Sequence, residues 1–252
     1  EDVLDDMWPD LIMLQEVDVD STRTYHIDES AMLARSQRVH ALNYSCGFVP
    51  YPLPPIGSVH SGLFTTTDYK IDSAERISLP SPFKWPVSTA NLKRCLLVSY
   101  LPIDGSDKQL VLVNLHLEAY DDGEGKIAQT NQLRDFITSE YEKGNYVIAG
   151  GDFNQVFPGS LDIYPIIDPE LWAPGVLDEN LLPDGWTLAY DLDSPSCRLL
   201  NQPYDKDDEN TQHYVIDGFI LSPNVELTNV QTLGLDFGSS DHNPVFINVK
   251  LK

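Results

Sequence analysis

The stretch Tyr146-Val147-Ile148-Ala149-Gly150-Gly151-Asp152-Phe153-Asn154 carries the fold in miniature. Its apolar opening, Tyr146 to Ala149, is unbroken by polar residues and too short for a helix, which predicts a strand buried on both faces. Two glycines then allow a tight turn. Beyond them Asp152 and Asn154 fall on one side if the backbone stays extended. A covered strand that delivers polar groups at its end can hold them rigid and still leave them open to solvent.

Moving outward, the residues before this strand form the clearest helix, Gly125 to Lys143. Ile127, Leu133, Phe136, Ile137 and Tyr141 share a face, and Gly144 stands as the C-terminal cap. Upstream, strand-like runs at Gly62 to Thr67, Lys70 to Leu79, Leu92 to Leu101 and Leu110 to Leu117 leave no room for helices between them, so antiparallel neighbours are expected. Tyr51 to Gly57 holds three prolines and reads as loop. Asp28 to His40 reads as helix, Leu11 to Leu14 as a short buried strand with Glu16 just past its end, and Glu1 to Trp8 as the end of a helix stopped before Pro9. Downstream, Phe157 to Asp184 is a proline-rich surface excursion, and strands resume at His213 to Leu221, Glu226 to Leu235 and Pro244 to Leu251. Two blocks of strands, helix and strands predict an α/β (α+β) architecture of two packed sheets with helices outside.

The 252 residues are 42% hydrophobic and 22% charged, values of a globular chain, and length favours one domain spanning 1–252. The 16 Lys+Arg against 39 Asp+Glu give a net charge of -23, which repels polyanions at long range. A nucleic-acid reader that grips by charge is disfavoured, whereas a metalloenzyme that grips phosphate through a cation is not, because a bound ion inverts the local field. Cys46, Cys95 and Cys197 show no zinc-ligand spacing and read as buried thiols. No apolar run approaches the ~20 residues of a membrane span.

Five places put acids, amides and histidines where strands end. Leu14-Gln15-Glu16-Val17 sets an acid after an apolar strand. In Asn114-Leu115-His116-Leu117, alternation puts Asn114 and His116 on one face. Gly150 to Asn154 is the third. Tyr214 to Ile220 places Asp217 in the middle of an apolar strand, where a carboxylate is costly without a partner. In Ser239-Ser240-Asp241-His242-Asn243-Pro244, Asp241 and His242 point apart, so that one can face a metal and the other a reacting phosphate. Each alone has an ordinary reading as a solvated strand end, a core histidine or a glycine turn.

Their order, QE, NxH, GDFN, IDxxI and SDHxP, resembles the endonuclease/exonuclease/phosphatase superfamily from Leu11 to the C-terminus. The resemblance implies a deoxyribonuclease I-like four-layer αββα sandwich of two mostly antiparallel mixed sheets, and a divalent-metal-dependent phosphoester hydrolase. It implies Glu16 as principal metal ligand with Asp241 near the metal, and Mg2+ as the ion, Mn2+ or Ca2+ being alternatives. It implies His116 and Asn154 as holders of phosphate oxygens, and His242, oriented by Asp217, as a dyad at the scissile phosphate. Asp152 is proton donor or base, the choice of general base between it and His242 staying open. His116 makes the chain similar to the deoxyribonuclease I, sphingomyelinase and polyphosphate-phosphatase branches, and Leu117 to Tyr120 to uncharacterised bacterial members.

The family begins with a strand that has no counterpart here, so the domain is expected to be N-terminally incomplete. The partner is expected to be a phosphoester, whether nucleic acid, phospholipid headgroup or phosphorylated small molecule, with a diester preferred to a monoester and a monomer favoured. Alternatives are a sugar or inositol phosphate phosphatase and a catalytically silent binding module on the same fold. Lys84, Lys93, Arg94 and Arg198 are the basic candidates for gripping phosphate. The compartment stays open: the sequon Asn43-Tyr44-Ser45 permits secretion, and free cysteines lean the other way.

Overall fold

A computed structural model describes residues 7–85, 91–121, 123–205, 208 and 210–252. Fifteen strands follow one another: β1 (Leu11–Asp18), β2 (Gln37–Val49), β3 (Gly57–Thr67), β4 (Ser73–Ser78), β5 (Cys95–Pro102), β6 (Gln109–His116), β7 (Tyr146–Asp152), β8 (Gln155–Val156), β9 (Gly175–Val176), β10 (Thr187–Ala189), β11 (Cys197–Arg198), β12 (His213–Tyr214), β13 (Asp217–Leu221), β14 (Val225–Thr232) and β15 (Val245–Leu251). Helix α1 (Glu29–Met32) is a single turn, α2 (Glu124–Glu142) is the long one, and α3 (Ser160–Ile163) is short.

Six strands form the central sheet in the order β10-β13-β7-β6-β5-β4. All its pairings are antiparallel except β6 with β7, the pair joined through α2. Alternation along these strands divides the core. Val111, Val113 and Leu115 of β6, with Val147 and Ala149 of β7, face the α2 side and meet Leu133 and Ile137. Leu112 and Ile148 face the other way, where Leu11, Met13, Leu227, Ile247 and Val249 pack on them. A third layer, the β1-β3-β2 sheet and the β14-β15 ribbon, thus covers the second face. Among the described residues β1 pairs only with β3 and β15 only with β14, and the two edges left open flank one cavity.

Asn114 ties the layers. It is fully buried, its amide donates to Leu14 O and Phe64 O at 3.0 Å each, and its oxygen accepts from Gln15 Nε2 at 2.8 Å.

Several elements depart from expectation. Gln37 to His40 are not helical; α1 stops at Met32 and the chain enters the 13-residue β2, held by pairing with β3. Glu16 does not lie past a strand but inside β1, at a bulge between Leu14 and Val17 where its φ is 58°. Gly150 and Gly151 make no turn: they are in-strand residues of β7, opposite Phe219 and Gly218. Added Cβ atoms there would stand 2.3 Å from the Phe219 ring and 2.1 Å from Leu115 O, so glycine is needed for close approach.

The run from His213 to Leu221 is broken at Val215 and Ile216, whose carbonyls instead accept from Phe157 N and Phe153 N. Asp217 therefore begins β13. Ile127, expected on the buried face of α2, is exposed, and Gln129 takes that face by donating to Pro80 O and accepting from Glu118 N. Asn43 is buried in β2, which closes the sequon in the folded chain. Cys95 and Cys197 are buried and Cys46 partly so, all three as free thiols. Residues 1–6 of the expected N-terminal helix, and Pro86, lie outside the described residues.

Candidate active site

Three neighbouring strands of the central sheet end together. His116 closes β6, Asp152 closes β7 and Asp217 opens β13, and in register His116 pairs with Asp152 and Asp152 with Asp217. The sequence cues of three separate motifs thus stand abreast at one sheet edge. The turn before β15 adds Asp241 and His242, and an isolated bridge joins His242 to Cys197. The bulge in β1 adds Glu16. These six side chains, Glu16, His116, Asp152, Asp217, Asp241 and His242, line one cavity of ≈ 660 Å³ between β1 and β15.

Asn154 is the predicted site residue that does not line it. With φ at 50° it folds back on Asp152: its N–H donates to Asp152 Oδ1 at 2.7 Å, and Nδ2 donates to Leu117 O at 2.9 Å and Asp152 Oδ2 at 3.1 Å. Its donors are spent in clamping Asp152, and the left-handed turn, not an extended backbone, brings the two side chains together. Glu16 and Asn154 are both non-glycine residues at positive φ, a strained conformation that persists where the surroundings enforce it.

Asp217 Oδ2 accepts from His242 Nδ1 at 2.9 Å and from Ser196 Oγ at 2.7 Å. Burial works against a charged imidazole at His242, but the Asp217 carboxylate prevails and holds its pKa well above the usual value. His116 is the opposite case. It is buried, Arg94 and His242 add positive charge nearby, and its pKa falls well below normal, so the ring is neutral. Its Nε2 is 3.2 Å from Asp152 Oδ2, and its Nδ1 has no hydrogen-bond partner among the described residues. Asp152, buried and beside Asp217, has its pKa pushed up to about 7, against the opposing pull of His242, the Asn154 N–H and Arg94.

Among the described residues the one group of three metal-compatible side chains within mutual reach is Asp152, Asp217 and His242. Glu16 and Asp241, the residues expected to hold metal, are placed on the same cavity without joining that group. Four carboxylates on one cavity suit a hard divalent cation, which favours oxygen ligands. Of the basic candidates, Arg94 is buried behind the site, its Nε 3.9 Å from Glu118 and without a hydrogen bond among the described residues, and its guanidinium in reach of His116 O at 3.5 Å. Arg198 lies over the Tyr204 ring and Lys84 is exposed. Glu118 and Ser196 were not legible as site residues, since nothing in their local sequence marks them as other than solvated polar groups.

No family model and no curated protein matches the chain in sequence. Solved structures do. An endonuclease/exonuclease/phosphatase from Beutenbergia cavernae DSM 12333 superposes with a TM-score of 0.68 over 99% of this chain at 16% identity. The chain has the deoxyribonuclease I-like fold. The shared fold extends to the human Nocturnin catalytic domain with bound sulfate (TM-score 0.61, 17% identity, 100% of this chain and 84% of that one). It extends also to D. rerio TDP2 complexed with single strand DNA product (0.56, 17%, 99% and 89%). The chain spans 64% of the length of the Beutenbergia protein. The α/β sandwich class stands, and no helix among the described residues is long and apolar enough to cross a membrane.

Proposed function

We propose that the chain is a divalent-metal-dependent hydrolase of phosphoester bonds. The observation that carries this is the convergence of Asp152, with its pKa raised to about 7, on a neutral His116 and a charged His242 paired to Asp217, all on a cavity that also holds Glu16 and Asp241. A group that titrates near neutrality is suited to take and return a proton at physiological pH. His242, kept protonated, is not free to act as a base; it can donate to a phosphate oxygen and offset charge that builds there. That supports Asp152 as the group that takes the proton of the attacking water.

Glu16 and Asp241 are the residues that would hold Mg2+, or Mn2+ or Ca2+, with oxygen donors. When bound, the cation supplies neutralisation of phosphate charge. Asp217 orients His242, Asn154 clamps Asp152, and Arg94 supplies positive potential from behind His116.

A diester is the favoured substrate. Single-strand DNA is the product bound by the D. rerio neighbour, but a net charge of -23 leaves this chain poorly suited to long polyanions, so a short or neutral-tailed phosphodiester fits better. The test is magnesium-dependent turnover of bis-p-nitrophenyl phosphate, sphingomyelin, inositol phosphates and duplex DNA by the chain and by His242→Ala. Turnover that needs the cation and drops about 10²–10⁴-fold in the variant is expected. Absence of turnover on every substrate, together with no magnesium binding by calorimetry, would favour the silent binding module.

A further inference from the structure

We propose that Ser196, in the loop before β11, is a positioning residue that holds both halves of the Asp217–His242 pair. Its kinetic consequence rests on the hydrolase reading; its structural one does not. Ser196 is fully buried. Its hydroxyl oxygen accepts from the backbone N–H of Ile216 at 3.0 Å and of Asp217 at 3.1 Å. With both acceptor positions taken, the one hydroxyl hydrogen is left for Asp217 Oδ2 at 2.7 Å, so the direction of that bond is fixed. The same Oδ2 receives His242 Nδ1 at 2.9 Å.

The backbone of Ser196 holds the other partner. Its N–H donates to Tyr214 O at 3.0 Å, and its carbonyl accepts from the N–H of Asn243, the residue after His242, at 2.8 Å. Asn243 returns a side-chain bond to Pro195 O at 3.0 Å. One residue thus ties the break before β13 and the turn before β15. Asp217 is the first residue of β13, and its N–H bonds to Ser196 Oγ. Without the hydroxyl the carboxylate is free to rotate about its last bond, and the imidazole loses the fixed acceptor that sets its orientation.

The parent, Ser196→Ala, Ser196→Thr, Asp217→Asn and the Ser196→Ala/Asp217→Asn double variant decide it. Two readouts are needed, the steady-state constants for magnesium-dependent bis-p-nitrophenyl phosphate hydrolysis and the downfield proton resonance of the His242 Nδ1–H, assigned by its loss in His242→Ala. Ser196→Ala is expected to lower kcat about 10- to 100-fold with KM little changed, to broaden or remove the resonance, and to cost nothing further in the Asp217→Asn background. Ser196→Thr, which keeps the hydroxyl, is expected to restore both. A Ser196→Ala chain that keeps kcat and resonance, or loses kcat equally in both backgrounds, overturns the proposal. If the alanine chain does not fold, Ser196→Cys, of similar shape but a weak donor, is read in its place by the same criteria. If the parent turns over no substrate, the resonance alone decides, and its loss in Ser196→Ala upholds the positioning role while the hydrolase reading falls.

Discussion

Asp152 is a residue on which stability and activity pull in opposite directions. Its carboxyl is raised from 3.8 to about 7, so the folded chain binds this proton more tightly than the unfolded chain does. For a carboxyl raised in this way, stability falls as pH climbs from about 4 to 7, because the buried group must ionise beside Asp217. Asp152→Asn keeps an oxygen for the Asn154 N–H and removes the charge, but its Nδ2 cannot accept the bond that Oδ2 takes from Asn154 Nδ2. In EDTA its Tm relative to the parent's is expected to rise by about 2–5 °C from pH 4 to pH 8, the lost acceptor being common to both. Hydrolysis should be lost in the same variant, and in the parent kcat/KM should rise with pH through the neutral range as Asp152 ionises. A Tm difference that does not change between pH 4 and pH 8 would contradict the burial argument. Asp217 was legible because a carboxylate inside an apolar run is costly without a partner, and His242 is that partner in the fold. The inward folding of Asn154 was not, since a left-handed backbone at an asparagine leaves no mark in composition.

Among the elements, β7 shows how packing dictates sequence. Its glycines are set by neighbours outside its own stretch, the Phe219 ring and Leu115 O. Gly151 also has φ at 139°, which side chains rarely adopt. Gly151→Ala is expected to destabilise the chain by about 3 kcal/mol or more in urea unfolding, since a Cβ against backbone on both counts has nowhere to move. A cost below 1 kcal/mol would mean the sheet yields there more easily than its contacts imply. The ladder from β4 to β7 was readable from short, closely spaced apolar runs, and α2 from its period and Gly144. β2 was not. Its inward positions include the polar Asn43 beside Ala41, its exposed ones include Leu42 and Phe48, and what makes it a strand is β3 lying beside it. Pairing between distant segments overrides local preference in such cases.

For the molecule as a whole, two long-range terms stand out, one cohesive and one repulsive. Asn114 joins the central sheet to the layer above it through three bonds in a buried interface. Asn114→Leu would strand Leu14 O, Phe64 O and Gln15 Nε2, at a cost of about 2–4 kcal/mol by denaturant titration. The repulsive term is the net charge of -23, which sodium chloride screens. Tm should therefore rise between 50 and 500 mM salt, and hydrolysis of an anionic diester should quicken, not slow, over the same range at saturating magnesium. A fall in both would place the governing charges locally at the cavity.

The free edges of β1 and β15 also bear on how these molecules meet one another. An unpaired strand edge presents a row of amides and carbonyls that any extended backbone can complete. From Leu11 to Asp18 there is neither lysine nor proline to blunt such an approach. At high concentration, copies of residues 1–252 would therefore tend to zip edge to edge, which light scattering that climbs with protein concentration would reveal.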